Sequence, residues 1–194
     1  MGSIASKIGS GATPRGGDAS YRESGVPLIR SLNVYDDCFV EEGLAFISDE
    51  QADALSHVTV QSRDILLNIT GASVARCCTA PERHVPARVN QHVMIVRADP
   101  ELADPFFVHA SINSDERKRQ LLGYAQKGST REALTKEMVS AFEIVLPTEE
   151  LMGQFGEFAA TAFRQRETLA QQTQKLRTAR DLLLPRLMSG EIAV

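Results

Sequence analysis

Residues Thr148 to Leu184 read TEELMGQFGEFAATAFRQRETLAQQTQKLRTARDLLL. They contain no proline, and Pro185 follows directly after them. Thr148 is a favourable N-cap residue, and Glu149 and Glu150 suit the positive end of a helix dipole. One helix over these residues would be roughly 54 Å long at 1.5 Å per residue. That is far longer than a helix that only packs on a small core. The length of the stretch therefore predicts a coiled coil.

A heptad repeat supports this prediction. One seam position holds Leu151, Phe158, Gln165, Gln172 and Ala179, and the other holds Phe155, Ala162, Leu169, Leu176 and Leu183. The second seam is apolar throughout, whereas two amides lie in the middle of the first seam, where they cost stability but can fix register and partner. Phe163 and Ala170 widen the apolar stripe, so we expect the helix to pack on more than one neighbour. The alternative is a long helix that folds back on its own domain.

The residues before this helix show a short and mixed pattern, in which Gly, Pro and Asp interrupt runs too brief for long helices. Strands are predicted over Val26–Ile29, Asp64–Ile69, Val74–Cys78, His92–Val96 and Phe142–Leu146. A helix is predicted over Asp104–Leu122, with shorter helices near Asp49–Leu55 and Thr135–Val139. The predicted fold is an α/β, mixed α+β, globular domain over residues 1–147 followed by a long coiled-coil-forming α-helix with a short tail over residues 148–194.

Composition restricts the possible functions. The 194 residues suit one domain with an appendage and exclude a large multidomain enzyme. The formal net charge of −4 argues against a protein that coats nucleic acid by bulk charge, so any contact with DNA must be local. No run approaches the roughly 18 apolar residues of a membrane span. Cys38, Cys77 and Cys78 lack the spacing of a disulfide framework, which favours the cytoplasm.

Candidate catalytic and metal-binding patterns are weak. The glycine-rich segment Gly9–Pro14 lacks the Lys-Ser/Thr ending of a phosphate-binding loop. Cys77, Cys78, His84 and His92 lack the ligand spacing of a zinc site, because two adjacent thiolates fit one tetrahedral ion poorly. A cysteine nucleophile paired with a histidine stays open as a hypothesis and would require a thiol of low pKa. We otherwise expect no catalytic residues and no metal.

Basic and amide side chains in three predicted loops are more informative. The first loop region holds Arg15, Arg30 and Asn33, the second holds Arg83, Arg88, Asn90 and Gln91, and the third holds Lys127, Ser129, Thr130 and Arg131. Guanidinium and amide groups can make bidentate contacts to guanine and adenine in the major groove. Lysines and hydroxyls suit phosphates. Each loop alone could equally be an ordinary solvated loop, but together, beside a dimerising helix, they favour DNA recognition.

Short motifs follow one another along nearly the whole chain. They are GSGATP at 9–14 with GVPLIR at 25–30, VQSRDILL at 60–67, NQHV at 90–93, GST at 128–130 before LTKE at 134–137, IVLP at 144–147, and LLPRLMSGEI at 183–192. In this order they resemble the specificity subunit of bacterial type I restriction-modification systems. The resemblance implies a DNA target-recognition domain over residues 1–147. It also implies a conserved-region helix over residues 148–194 that acts as a spacer, dimerises and docks the methyltransferase subunit.

The resemblance further implies the partners of the chain. Family members usually carry two such units and this chain has one, so it is expected to be either a half-length subunit that forms a homodimer through its helix or a fragment. The subunit is not catalytic in this family, because methyl transfer from S-adenosylmethionine and ATP-driven cleavage belong to separate modification and restriction subunits. We therefore expect S-adenosylmethionine, ATP and Mg only in those partners. A target adenine of the double-stranded DNA would be flipped into the pocket of the modification subunit.

These inferences give a set of candidate residues. We expect DNA contacts at Thr13, Arg15, Arg30, Arg88, Asn90, Gln91, Lys127, Ser129, Thr130 and Arg131, and contacts with a partner helix along both seams. The competing hypothesis is a protein-interaction module that works through its helix without specific DNA binding, and the acidic net charge favours it. The resemblance implies a place in the cytoplasm of a bacterium or archaeon.

Overall fold

The computed structural model describes residues 1–127 and 133–192. The chain divides into two compact units, Met1–Gly156 and Glu157–Val194. The strands are β1 Ala5–Ser10, β2 Val26–Ile29, β3 Val34–Tyr35, β4 Cys38–Phe39, β5 Ala45–Ile47, β6 Thr59–Val60, β7 Ile65–Asn68, β8 Cys77–Thr79, β9 Ala87–Val89 and β10 Val93–Ala98. The helices are α1 Asp49–Ala54, α2 Pro105–Asn113, α3 Asp115–Lys127, α4 Lys136–Ala141 and α5 Glu149–Met188. The mixed α/β fold with a long final helix confirms the predicted fold class.

The first unit contains two four-stranded sheets. One has the antiparallel order β1-β10-β7-β8, and the other has the order β5-β2-β9-β6, in which only the β2–β9 pair is parallel. Successive side chains of a strand point to opposite faces. Ile65 and Leu67 accordingly lie in one hydrophobic core, whereas Leu66 lies in the other, and Met94 and Ile95 divide in the same way. Strands β7 and β10 are therefore buried on both faces, which explains their continuous apolar sequences.

A buried ion pair links these sheets. Arg97 of β10 donates from Nε to Oδ1 of Asp64 and from Nη2 to Oδ2, both at 2.7 Å. The same Nη2 also donates to the carbonyl of Thr59 in β6 at 3.1 Å. The Asp64 side chain is fully buried, and its Oδ2 accepts a further bond from the Gln61 backbone N–H. The Arg97 guanidinium thus joins β10 both to the Asp64 carboxylate and to a backbone carbonyl of β6.

The predicted helix over Asp104–Leu122 is instead two helices, α2 and α3. Asp104 caps α2 by accepting bonds from the backbone N–H groups of Phe106 and Phe107. The break falls at Ser114, whose ψ of 143° is extended and whose hydroxyl donates to the Ser111 carbonyl at 2.9 Å. Serine offers the backbone such a local alternative to helical bonding, and α3 begins directly after it.

Two strand predictions need correction. The segment Phe142–Leu146 forms no strand and pairs with none of the described strands, and only Phe142 is buried while Val145 is 74 % exposed. The predicted strand Val74–Cys78 begins later, at Cys77. Ala75 adopts a left-handed φ of 66°, which turns the chain before β8. The apolar composition of Val74 and Ala75, like that of Phe142, reflects burial of single side chains and not a ladder of paired residues.

Helix α5 differs from its prediction only at its C-terminus, which lies at Met188 and not at Leu184. The Leu151 backbone N–H lies 3.4 Å from Oγ1 of Thr148, which confirms the predicted N-cap. The helix continues through Pro185 to Met188 and stops where Gly190 takes a left-handed φ of 76°. Of its seam residues, Phe158, Leu169 and Leu176 are 73, 62 and 71 % exposed. None of the described helices is long and apolar enough to cross a membrane.

Candidate nucleic-acid interface

A close backbone approach brings the loop after β1 onto the connection between β9 and β10. The Gly11 N–H donates to the Val93 carbonyl at 2.9 Å, and the Ala12 N–H donates to the Val89 carbonyl at 3.0 Å. A Cβ atom on Gly11 would lie 2.0 Å from the Val89 carbonyl oxygen and 2.4 Å from that of Asn90. Real Cβ atoms do not approach backbone oxygens so closely, so this contact requires glycine at position 11.

The approach places four polar side chains from three loops in one hydrogen-bonded series, which we call the polar chain. The Thr13 hydroxyl donates to Oε1 of Gln91, and Nε2 of Gln91 lies 3.0 Å from Nε2 of His92. Nδ1 of His92 lies 2.7 Å from the Thr70 hydroxyl. Thr13 and Gln91 are exposed, whereas His92 and Thr70 are half-buried. The polar chain therefore presents amide and hydroxyl groups to the surface from a fixed support.

Beyond Thr13 the surface continues into a groove of about 950 Å³. Its lining residues are Thr13, Pro14, Arg15, Ala19, Ser20, Tyr21, Arg22, Ser48, Glu50, Gln51, Ala54 and Leu55. The Gln51 side-chain amide donates to the Arg15 carbonyl at 3.1 Å and so holds one wall of the groove. The lining contains two exposed guanidinium groups, of Arg15 and Arg22, and one carboxylate, of Glu50. The groove thus carries a local positive charge in a chain of net charge −4.

An aromatic ring stacked on a cation forms part of the same groove. The Arg30 guanidinium carbon lies 4.9 Å from the Tyr21 ring centroid, and Arg30 Nη2 donates to the Gly43 carbonyl. Burial raises the pKa of Tyr21, and a hydrogen bond with Asp18 raises it further, while Arg30 opposes the shift. Tyr21 is therefore a neutral phenol at physiological pH, with its ring held by Arg30.

The structure brings only some of the predicted DNA-contact residues together. Thr13, Arg15 and Gln91 lie on this surface, and Arg30 lies behind Tyr21. Lys127 ends α3, but its side chain and Ser129, Thr130 and Arg131 lie outside the described residues. The chain is described again at Ala133, which pairs with Thr70 at the end of the polar chain.

Arg88 and Asn90 require a correction, because both are 8 % exposed and do not lie in an open loop. Arg88 belongs to β9, and its guanidinium donates to the carbonyls of Ala52 and Ala87 at 2.8 and 3.0 Å. Burial lowers the pKa of Arg88, and nearby Asp53 opposes the shift. The Asn90 side-chain oxygen accepts from the His92 backbone N–H at 3.1 Å. Both side chains have partners within the domain, and their role as DNA contacts stays a prediction.

Sequence reasoning missed His92, Thr70, Tyr21 and Arg22 as members of this surface. The sequence offers His92 as a metal ligand or as the partner of a cysteine nucleophile, although it directly follows Gln91 in the NQHV motif. Tyr21 and Arg22 form an aromatic and cationic pair in a loop, which was an available signal. Nothing local in the sequence indicates Thr70.

The cysteine-nucleophile hypothesis finds no support at Cys77. Its thiol is fully buried and lies 3.2 Å from the Asn113 side-chain oxygen. Burial raises the pKa of Cys77 well above its usual value, so the thiolate that a nucleophile requires is not formed near neutral pH. The candidate zinc ligands have separate partners, since His84 contacts Glu41 and His92 contacts Thr70. Among the described residues, no three His, Cys, Asp or Glu side chains converge as metal ligands do.

The substitution Gly11→Ala should damage this surface and the fold together. The added methyl group must displace backbone oxygens at Val89 and Asn90, and such overpacking costs about 1–3 kcal/mol or more. Denaturant unfolding of the full chain measures this loss. Gly9→Ala is the matched control, because nothing lies within 4 Å of a Cβ atom there. Equal stability of the two variants would contradict the close approach at Gly11.

Known proteins resemble the chain in sequence and in fold. No family model matches the chain. The chain is 23 % identical over 182 residues to the specificity subunit of the HindI type I restriction enzyme of Haemophilus influenzae. The aligned residues cover 94 % of this chain and 39 % of that protein. This sequence similarity confirms the resemblance drawn from the motifs.

Solved structures show a similar fold. One is a chain from work on complex assembly and conformational transition of the type I R-M system, with a TM-score of 0.59 and 17 % identity over 96 % of this chain and 44 % of that chain. The HsdS subunit from Thermoanaerobacter tengcongensis gives a TM-score of 0.59 and 16 % identity over 98 % of this chain and 44 % of that one. The S subunit of the type I restriction-modification system from M. genitalium gives a TM-score of 0.62 and 13 % identity over 94 % of this chain and 43 % of that one. The chain thus spans less than half the length of each of these proteins.

Proposed function

We propose that this chain is a DNA sequence-recognition subunit of a type I restriction-modification complex and that it reads one half of a bipartite site. The observation that carries the proposal is the continuous surface formed by the polar chain and the positively charged groove. Its amide and hydroxyl groups suit base edges, and its guanidinium groups suit phosphates. The likeness to a type I specificity subunit along 94 % of the chain supports the same assignment.

In this proposal residues 1–147 form the target-recognition domain. Arg15 and Arg22 hold phosphates of one strand along the groove, which fixes the position of the duplex without reading its sequence. Thr13 and Gln91 then face base edges beside the groove. Four further residues stay candidate contacts: Lys127, Ser129, Thr130 and Arg131. Ala133, which follows them along the chain, pairs with Thr70 at the end of the polar chain.

Residues 148–194 form the conserved-region helix in this proposal. The exposed seam at Phe158, Leu169 and Leu176 buries itself against a second helix. If two copies of the chain pair, their helices run antiparallel and hold two DNA-reading domains apart. A two-fold symmetric pair reads a palindromic split site, because the symmetry of the protein is mirrored in its target.

The chemistry belongs to partner subunits. The modification subunit docks on the helix and supplies adenine methylation from S-adenosylmethionine, and the restriction subunit supplies cleavage driven by ATP with Mg. This chain contributes binding and orientation and holds no catalytic residue. We place the assembly in the cytoplasm of a bacterium or archaeon.

Salt dependence distinguishes DNA recognition from a module that works only through its helix. Affinity for DNA should fall steeply with salt, since each neutralised phosphate contributes a slope of about −0.9 in a plot of log K against log salt concentration. Arg15→Ala with Arg22→Ala should therefore reduce the slope by about 2 when binding is measured with the modification subunit present. An apolar seam is largely indifferent to salt.

The control exchanges two exposed cations that do not line the groove, Arg119→Ala with Lys136→Ala. It removes the same charge and should leave the slope nearly unchanged. A slope reduced equally by both pairs of substitutions would show that general charge, and not the groove, holds the DNA. Binding of the partner without any DNA affinity would favour the helix-only module.

A further inference from the structure

The hydrogen bonds of the polar chain fix the orientation of one exposed amide. An amide nitrogen only donates, so Nε2 of Gln91 donates to Nε2 of His92, which must be unprotonated. The remaining imidazole proton then lies on Nδ1, which donates to the Thr70 hydroxyl at 2.7 Å. On the other side, the Thr13 hydroxyl donates to Oε1 of Gln91. The donor end of the amide is thus set by His92 and the acceptor end by Thr13.

Among the described residues, the amide has one partner at each end and a second bonding group at each end without one. Nε2 carries a second N–H, and Oε1 carries a second lone pair. The residue is exposed, in contrast to the neighbouring Asn90, which is 8 % exposed. Gln91 therefore has a donor end and an acceptor end in a fixed order, next to Thr13 at the start of the positively charged groove.

We infer that Gln91 is a specificity-determining residue and reads an adenine in the major groove. Adenine presents N7 as an acceptor and the N6 amino group as a donor, and a glutamine amide pairs with both. Guanine presents two acceptors at this edge, so the amide oxygen would face another oxygen. His92, with Thr70 behind it, is a positioning residue. The inference rests on the proposed function, because it requires that this surface faces DNA.

The first test changes the DNA and leaves the protein as it is. The full chain with its modification subunit is used to select a site from random duplexes, and each adenine of that site is then replaced by 7-deazaadenine, which lacks the N7 acceptor. One position should lose about 5- to 150-fold in affinity with the unsubstituted protein. With Gln91→Ala the same replacement should cost little further affinity. If Gln91→Ala leaves the cost of every 7-deazaadenine unchanged, the inference is overturned.

The second test changes the base that is preferred. Gln91→Glu turns the amide into an acceptor-only group, which suits the N4 amino group of cytosine. Repeating the selection with this variant should replace adenine by cytosine at that one position. Gln61→Glu is the matched control, because Gln61 is an exposed glutamine with the same charge change and lies outside the polar chain.

The outcomes separate the two levels of the argument. A defined site that both glutamate variants select unchanged would overturn the role of Gln91 and leave the proposed function intact. No selected site with the unsubstituted chain, folded and in complex, would overturn both. His92→Phe removes the acceptor and should lower discrimination at that position, whereas His92→Asn supplies a side-chain oxygen and should restore it. A purely structural role would instead weaken binding to all sequences equally.

Discussion

Replacing Leu169 and Leu176 together by glutamate should abolish self-association of the chain, or docking of its partner helix, while the globular part stays folded. Both leucines occupy the fully apolar seam and are 62 and 71 % exposed in the single chain. Burying one leucine side chain is worth about 1.5–3 kcal/mol. A symmetric pair would lose four such side chains, so the association constant should fall by about four orders of magnitude or more.

Sedimentation measures the assembly state, and near-ultraviolet circular dichroism reports whether the globular part remains packed. The control is Thr173→Glu with Gln174→Glu, which adds the same charge at exposed positions outside both seams. That variant should assemble like the unsubstituted chain. If the leucine variant keeps the same assembly state and partner affinity, the coiled-coil assignment is wrong.

Removing the carboxylate of Asp64 should cost about 3–5 kcal/mol of the free energy of unfolding. The substitution Asp64→Ala leaves the Arg97 guanidinium without its two bonds at 2.7 Å and leaves the Gln61 N–H without its acceptor. Because the carboxylate is fully buried, water cannot readily replace these bonds. Arg97 of β10 would then keep only its bond to the Thr59 carbonyl of β6.

Denaturant unfolding measures this loss, and Asp181→Ala provides the comparison. Asp181 forms an ion pair with Arg180 in which both side chains are more than half exposed, so its removal should cost only about 0–1 kcal/mol. Adding Arg97→Met to Asp64→Ala should recover part of the stability, since the partly buried cation that has lost its carboxylate is then gone. A cost for Asp64→Ala no larger than that for Asp181→Ala would show that the pair does not hold the sheets together.

The elements that sequence reasoning predicts best are those whose pattern reports burial directly. Strands β7 and β10 contain the apolar runs Ile65–Leu67 and Val93–Val96 because both faces of these runs are buried, and α5 follows from its heptads and its cap. Strand β9 escapes prediction because it is three residues long and contains Arg88, a residue type that suggests a loop. The false strand at Phe142–Leu146 has the composition of a strand but lacks a neighbour, which no local pattern reveals.

The candidate site was predictable in its residue types and not in its assembly. Gln91 and Thr13 follow from motifs, but their contact joins residues 78 positions apart. The contact depends on the close approach at Gly11, and a glycine in a sequence does not reveal which backbone it touches. Arg88 shows the opposite limit, because a guanidinium in a suitable pattern can be used to bond buried carbonyls.

The most direct test of the central claim is selection from a random double-stranded DNA pool at moderate salt, with the chain bound to its modification subunit, followed by sequencing of the retained duplexes. The account predicts a split motif with a fixed gap, and a palindromic one if two copies of the chain do the reading. An absence of any enriched sequence, with the complex intact and the chain folded, would contradict the proposed role in DNA recognition.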